Sequence, residues 1–319
     1  MLIVCLIQFC FDAPPSSMAA EVLRSNDVVC LVGGANVVAG QEHGYLETLV
    51  RLSFPSLDLR FRSLAHEGDT VFAQPRDYNY PSLAKQLEQT GATVVLAYFG
   101  QTEALDGPKK LPQFVANYER LIDQLGPTHR RVVLISPMPF EAPAPPLSDL
   151  SLRNSELQQY VQAIKELASK RGLAFIALFS GRRRNSAVGE HFTNDGIHLK
   201  AQGHWNYDLI VARELGAKAD ASAVRVDSGS GTLSRSEWER VRQTVIEKNR
   251  LWFAYSRPMN WAFLGGDRVD QPSSRDHVNP KIRWFPEEMQ RFGPLIEEQE
   301  KQIAKLAGAK PFSRQERSQ

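Results

Sequence analysis

The chain has 319 residues, of which 42% are hydrophobic and 23% charged, and a formal net charge of only +2. That length accommodates one large domain, or a domain with an extension, and the balance is that of a chain that buries a core rather than stays disordered. It carries no electrostatic footprint for nucleic acid, because no basic stripe is interleaved with aromatic residues.

Met1 to Ala20 joins a short apolar run, Leu2 to Phe11, to the small-residue segment Ser16-Ser17-Met18-Ala19-Ala20. This is the pattern of a secretory signal peptide without its leading Lys or Arg, and it favours export, with a cytoplasmic location as the alternative. The run is too short to span a membrane, and no other stretch is long enough. Cys5, Cys10 and Cys30 make neither a zinc spacing nor a disulfide framework. Cys30 lies inside an apolar strand pattern and reads as a small core residue.

Asp27 to Val32 is an apolar, β-branched run that ends at Gly33-Gly34, a buried strand and a tight turn. A helix is expected around Tyr45 to Leu52, a second strand from Leu57 to Ser63, and a polar loop from His66 to Pro81. A helix at Ser82 to Thr90 leads to a third strand, Thr93 to Phe99, which stops at Gly100. Leu111 to Leu125 has helical spacing through Phe114, Tyr118, Leu121 and Leu125. Arg131 to Ser136 is a fourth strand, ended by Pro137 and Pro139. An amphipathic helix, Asn154 to Lys170, precedes a fifth strand at Leu173 to Phe179, and a last helix runs from Ala201 to Leu215. Strands alternating with helices predict a parallel sheet of order 2-1-3-4-5, covered by helices on both faces, with ligands bound beyond the carboxyl ends of the strands.

From about residue 217 the pattern changes. Ala217 to Gly231 reads as a linker, Ser234 to Trp252 as a helix, and Arg257 to Pro286 as a long loop broken by prolines. A helix from Glu287 to Leu306, bent at Gly293-Pro294, and a frayed tail from Phe312 end the chain. The expected organisation is a leader at 1–20, an α/β domain at 21–216, and a linker with a helical extension at 217–319.

The chemistry gathers at Phe192-Thr193-Asn194-Asp195-Gly196-Ile197-His198-Leu199. Asp195 and His198 are three residues apart, a spacing that on a helical turn puts both side chains on one face. A carboxylate beside an imidazole fixes its tautomer and steadies the imidazolium, which is the acid/base half of a nucleophilic hydrolase. An Asp at this spacing also serves as a plain helix cap. Gly34 to Asn36, Gly68, Gly100 to Glu103 and Asp195 to His198 all fall on loops at the same sheet edge.

With these blocks in this order, the chain resembles the SGNH hydrolases, or GDSL esterase/lipase family, from about Asp27 to Leu215. The resemblance implies the three-layer, flavodoxin-like fold. In the family the first strand ends in Gly-Asp-Ser with Ser as nucleophile, and here the residues are Gly33-Gly34-Ala35. The resemblance implies an oxyanion hole from the Ala35 backbone and Gly68, with Thr102 where the family has Asn. Asp195 and His198 match the catalytic Asp-x-x-His block fully. Asn36 and Glu103 complete the implied pocket with Gly34. The stretches Gly40 to Glu47, Ser136-Pro137-Met138-Pro139 and Arg257-Pro258-x-Asn260 look similar to GDSL-like proteins of planctomycete-type bacteria.

Two functions follow. The first is hydrolysis of an ester, acyl or acetyl, with carbohydrate as one possible carrier; the second is a degenerate hydrolase fold that binds or scaffolds. The retained Asp195 and His198 favour the first, and Ala35 favours the second. No cofactor is implied, and Asp195, His198 and a stray His43 or His66 are too few ligands for a metal hydrolase. The expected partner is a small-molecule or carbohydrate ester, with no nucleic acid and no membrane span. Oligomeric state is not legible. His204 and Trp205 read as packing residues. Glu103 reads as a residue that orients His198 or a ligand, or as a cap. Trp252, Trp261 and Trp284 read as the core between the extension helices, with a sugar-stacking platform as the alternative.

Overall fold

A computed structural model describes residues 22–180 and 191–308. The leader at 1–20, with Cys5 and Cys10, and the tail from Phe312 lie outside the described residues. The five strands are β1 (Val28–Gly33), β2 (Arg60–Ser63), β3 (Val94–Tyr98), β4 (Arg131–Ile135) and β5 (Ala174–Ile176). They form one parallel sheet in the order β2-β1-β3-β4-β5.

Alternation along the strands divides the core between the two faces, because successive side chains point to opposite sides of a sheet. Val29 and Leu31 of β1, Val94 and Leu96 of β3, and Val133 and Ile135 of β4 enter one cluster. Cys30, Val32, Val95, Ala97, Val132 and Leu134 enter the other. Helices α1 (Ala35–His43), α2 (Tyr45–Ser53) and α6 (Ala201–Glu214) cover the first face. Helices α3 (Leu83–Gln89), α4 (Leu111–Leu125) and α5 (Asn154–Arg171) cover the second. Both faces being buried, the strands read as continuous apolar runs.

The sequence reading missed α1. Among its nine residues only Val37 is buried, so it has no apolar stripe to detect. It ends at Gly44, which takes φ +65 and lets the chain turn directly into α2. The fifth strand is shorter than expected, three residues rather than seven.

Beyond residue 217, α7 (Ser236–Ser256) is longer than its predicted helix and packs against α1, α2 and β2. The stretch expected as one long loop contains α8 (Trp261–Leu264), a 3-10 turn at Pro272–Ser274 and the start of α9 (Trp284–Gln290). The closing helix is two helices, α9 and α10 (Phe292–Leu306), so the break falls at Arg291 rather than at Gly293-Pro294. Pro294 sits in the first turn of α10, where its missing N–H costs nothing. Among the described residues no helix is long and apolar enough to cross a membrane.

The extension is tied to the main fold by buried polar contacts. Lys248 of α7, fully buried, meets Glu47 of α2 at 2.5 Å and donates to the Phe61 carbonyl at 3.1 Å. Trp252 Nε1 donates to the Ser63 carbonyl at 2.7 Å, Arg242 to the His43 carbonyl at 3.1 Å and Asn249 to the Gln41 carbonyl at 3.0 Å. Val241, Val245 and Ile303 form a small core of their own against Leu52.

Candidate active site

The carboxyl ends of β1 and β3, the loop after β2 and the segment 192–199 converge on one cavity of about 120 Å³. Gly34, Ala35, Asn36, Thr102, Glu103 and His198 line it, while Asp195 and Gly68 of the expected set do not. Ala35 is the first residue of α1, so its N–H belongs to the unpaired donors that open a helix. Gly34 caps that helix where the family has Asp. A Cβ built on it would lie 3.3 Å from the Asp69 carbonyl, so the loop after β2 passes tight against the turn.

Asp195 and His198 meet, with His198 Nδ1 at 2.6 Å from Asp195 Oδ2. They do so on a loop and not on a helical turn. Asp195 Oδ1 accepts the N–H groups of Ile197 at 3.0 Å and His198 at 2.7 Å, and Gly196 takes φ +93, outside the helical region. Partial burial acts to raise the Asp195 pKa, but the His198 ring and these two N–H groups outweigh it and hold the carboxyl below its ordinary value. Asp195 is therefore an anion that orients the ring. The His198 side chain is 54% exposed and lines the cavity.

What holds this loop was not legible beforehand. Glu141, buried, accepts the N–H groups of Phe192 at 2.8 Å and Thr193 at 2.9 Å, and the Thr193 hydroxyl at 2.7 Å, through one carboxylate oxygen. Asn36 is not a nucleophile but a strut. Its amide donates to the Ile197 carbonyl and to Gln101 Oε1, and its oxygen accepts the Leu199 N–H, at 3.0, 3.1 and 3.0 Å. Gln101 continues the chain to the Met138 carbonyl at 3.3 Å. Three loops and the dyad are thus bound by two side-chain amides.

Glu103 does not orient His198. It is buried, and its carboxylate accepts the N–H groups of Val71 at 2.8 Å and Gly100 at 2.9 Å, stapling the loops after β2 and β3 together. Burial nonetheless raises its pKa, more than these donors lower it. Gly68 sits in the turn closed by the Asp69 N–H to His66 carbonyl bond, and it is its neighbour Asp69 that lines the cavity. Asp69 is clamped by Arg76 through two bonds of 2.6 and 2.8 Å. Arg257 of the extension pairs with Glu67 at 2.7 Å, and Trp261 donates to the Tyr78 carbonyl at 2.9 Å, so the extension braces this crevice wall. His66 lies against Tyr80, and Tyr80 against Trp261. The three tryptophans do not share a surface: Trp252 is buried, Trp261 packs on Tyr80 and Trp284 is exposed. Neither the common core nor a three-tryptophan platform forms. Ser136 is buried and accepts the N–H groups of Leu178 and Phe179, a structural role. Among the described residues no group of three or more His, Cys, Asp or Glu is arranged to hold a metal ion.

The inner part of the cavity was invisible in the sequence. His204 and Asp208, one turn apart on α6, line it with Tyr98 and Glu47. His43, at the end of α1, faces His204 with ring centroids 4.7 Å apart. Burial holds the His204 pKa down to about 3. Burial pushes the Asp208 carboxyl up to about 7, against a hydrogen bond from the Leu46 backbone.

These two shifts act oppositely on stability. Between pH 6.5 and 3 the unfolded His204 ring takes a proton that the folded ring refuses, so stability falls with acid. Between pH 3.8 and 7 the folded Asp208 holds a proton that the unfolded carboxyl releases, so stability rises with acid. In the parent they offset. From pH 7 to 4, Asp208→Asn should lose on the order of 3 kcal/mol more than the parent, and His204→Gln should lose that much less. Melting curves at the two pH values check both signs; equal pH responses in all three proteins would contradict the assignment.

A family model described as GDSL-like Lipase/Acylhydrolase family matches residues 23–205. Among curated proteins none matches the sequence. Among solved structures, BT4096, a gut microbial diltiazem-metabolizing enzyme, superposes with a TM-score of 0.64 at 11% identity, covering 91% of this chain and 97% of its own. A candidate GDSL-like lipase from Parabacteroides merdae gives a TM-score of 0.50 at 12% identity, over 62% of this chain and 100% of its own. At these identities the likeness is one of fold, and in the first case it extends over the C-terminal helices.

Proposed function

The chain belongs to the GDSL-like lipase/acylhydrolase family, and from that membership we propose that it hydrolyses small esters with His198 and Asp195 as its base and water as its nucleophile. The observation that carries this reading is the 2.6 Å Asp195–His198 contact at a cavity that also holds Ala35. Ala35 brings no nucleophile, but its methyl leaves room for a water beside the turn. With Nδ1–H held by Asp195, the free His198 nitrogen takes a proton from that water. The hydroxide adds to the ester carbonyl carbon, and the carbonyl pair moves onto oxygen. The Ala35 N–H at the start of α1 and the Thr102 hydroxyl, both from residues that line the cavity, serve as donors to that oxygen, while Gly68 lies outside the lining. Collapse expels the alkoxide, which takes the proton back from the imidazolium, leaving acid and alcohol. A positioned base contributes roughly 10²–10⁴-fold.

Native protein should then release nitrophenol from 4-nitrophenyl acetate steadily, with no burst and no acyl adduct in the mass spectrum. A burst or an adduct would contradict water attack. Complete absence of release would favour the second reading, a binding module, for which Ala35 speaks. The apolar segment Leu2 to Phe11 supports placing either activity outside the cytoplasm.

A further inference from the structure

The inner cavity has an unusual charge pattern. Among the described residues no lysine or arginine lines it. Of its carboxylates, Asp69 is clamped by Arg76, Glu103 by two backbone N–H groups and Glu47 by Lys248. Asp208 has no cation partner among the described residues; its one donor is the Leu46 N–H. Beside it stand groups with unspent hydrogen-bonding capacity. Among the described residues buried His204 Nε2 finds no partner, and neither does Glu47 Oε1. Among the described residues no hydrogen bond engages the Tyr98 hydroxyl, on which the Asp208 carboxylate acts electrostatically. Phe61, Phe99 and Tyr207 supply aromatic surface.

Buried polar groups left without partners are costly, and native proteins rarely keep several in one place without a ligand or water to satisfy them. An anion is disfavoured here, because among the described residues it would meet only acidic and neutral groups. A neutral alcohol would satisfy one or two acceptors and leave the carboxylate without a counter-charge. An ammonium group meets every requirement. It brings up to three N–H donors for Asp208, the His204 ring and the Tyr98 oxygen, supplies the missing positive charge, and is favoured by aromatic faces.

We propose that the inner end of the cavity is a subsite for a protonated amine, held by Asp208 with His204 and Tyr98. This deepens the esterase reading by naming the substrate class, an ester that carries an aliphatic amine, and it rests on that reading only for the ester. The subsite itself is independent of turnover, so it is tested by binding.

The test is calorimetric titration of the full chain with n-butylammonium chloride and with n-butanol, its neutral counterpart. The ammonium ion should bind at least about tenfold more tightly than the alcohol. Asp208→Asn, which keeps the shape of the protonated acid, should remove that preference while its melting temperature at neutral pH shows that it folds. Tyr98→Phe should weaken ammonium binding severalfold without touching the crevice dyad. Equal affinity for ion and alcohol, no binding of either, or ammonium binding that survives in Asp208→Asn would each overturn the subsite. Because none of these readings needs an ester to be cleaved, an inactive protein that binds the amine would sink the esterase reading alone.

Discussion

Ala35→Ser should acquire covalent chemistry. Ala35 opens α1 directly after β1, lines the same cavity as His198, and is half-buried, so a single added oxygen has room. The acid/base half is already assembled, with Asp195 anionic and bonded to the ring. Asn36 and Gln101 hold the dyad loop against the β1 turn, so the new hydroxyl and the imidazole rest on one braced frame. A hydroxyl activated by an adjacent base splits ester cleavage into acylation and deacylation, and triad members are worth far more together than singly. Turnover of 4-nitrophenyl acetate should rise about a hundredfold or more over the parent, with a burst and an acyl adduct by mass spectrometry. Independently, the new serine should be phosphonylated by a fluorophosphonate probe, its oxygen bonding phosphorus as fluoride leaves. Thr102→Asn in that background should raise turnover further, since each added oxyanion donor is worth on the order of 3 kcal/mol. A folded Ala35→Ser that forms no adduct would show that the crevice is not organised for acyl transfer.

Removal of residues from Gly231 onward should unfold the protein rather than trim it. The cut takes Lys248 from Glu47 and leaves a buried carboxylate unpaired, a change that costs about 3–5 kcal/mol by itself. It also uncovers the carbonyls of His43, Phe61 and Ser63 and strips the surfaces under Trp238, Val241, Val245, Trp252 and Ile303. Fully burying one large apolar side chain is worth roughly 1.5–3 kcal/mol, so the sum exceeds the marginal stability of an ordinary domain, about 5–15 kcal/mol. The truncated chain should aggregate on expression. A soluble, monomeric truncation with unchanged melting would mean that the extension is a separate module.

Sheet order and the two-faced core were legible because they rest on local pattern: apolar runs of strand length alternating with helical spacing. The same dependence explains what was lost. α1 buries one residue and so leaves no period to read. The Asp195–His198 pair was found because its members are three apart, but its supports are not local. Asn36 reaches partners 65, 161 and 163 positions away, and Glu141 acts 51 positions downstream. In the sequence Asn36 is only a polar residue after a turn. Tyr98 hides at the end of an apolar strand, where it reads as core. Asp208 sits on a helix whose other face is apolar, where it reads as solvent-facing; only the packing of α6 over the sheet turns it inward. The spacing also misled: Asp-x-x-His suggested a helix, yet Gly196 and the Asp195 carboxylate impose a tight turn that brings the same two side chains together by another route. Sequence therefore located the chemical groups, and tertiary contacts decided which of them are held in place.

The central claim is that His198, oriented by Asp195, is a working base. The most direct measurement is the steady-state hydrolysis of 4-nitrophenyl acetate by native protein and by His198→Ala, purified in parallel and matched for folding by melting temperature. His198 is half-exposed, so the substitution leaves no buried cavity and should hardly change stability. The native protein should exceed the variant by roughly 10²-fold or more in kcat/KM. Equal rates in the two proteins would contradict the claim.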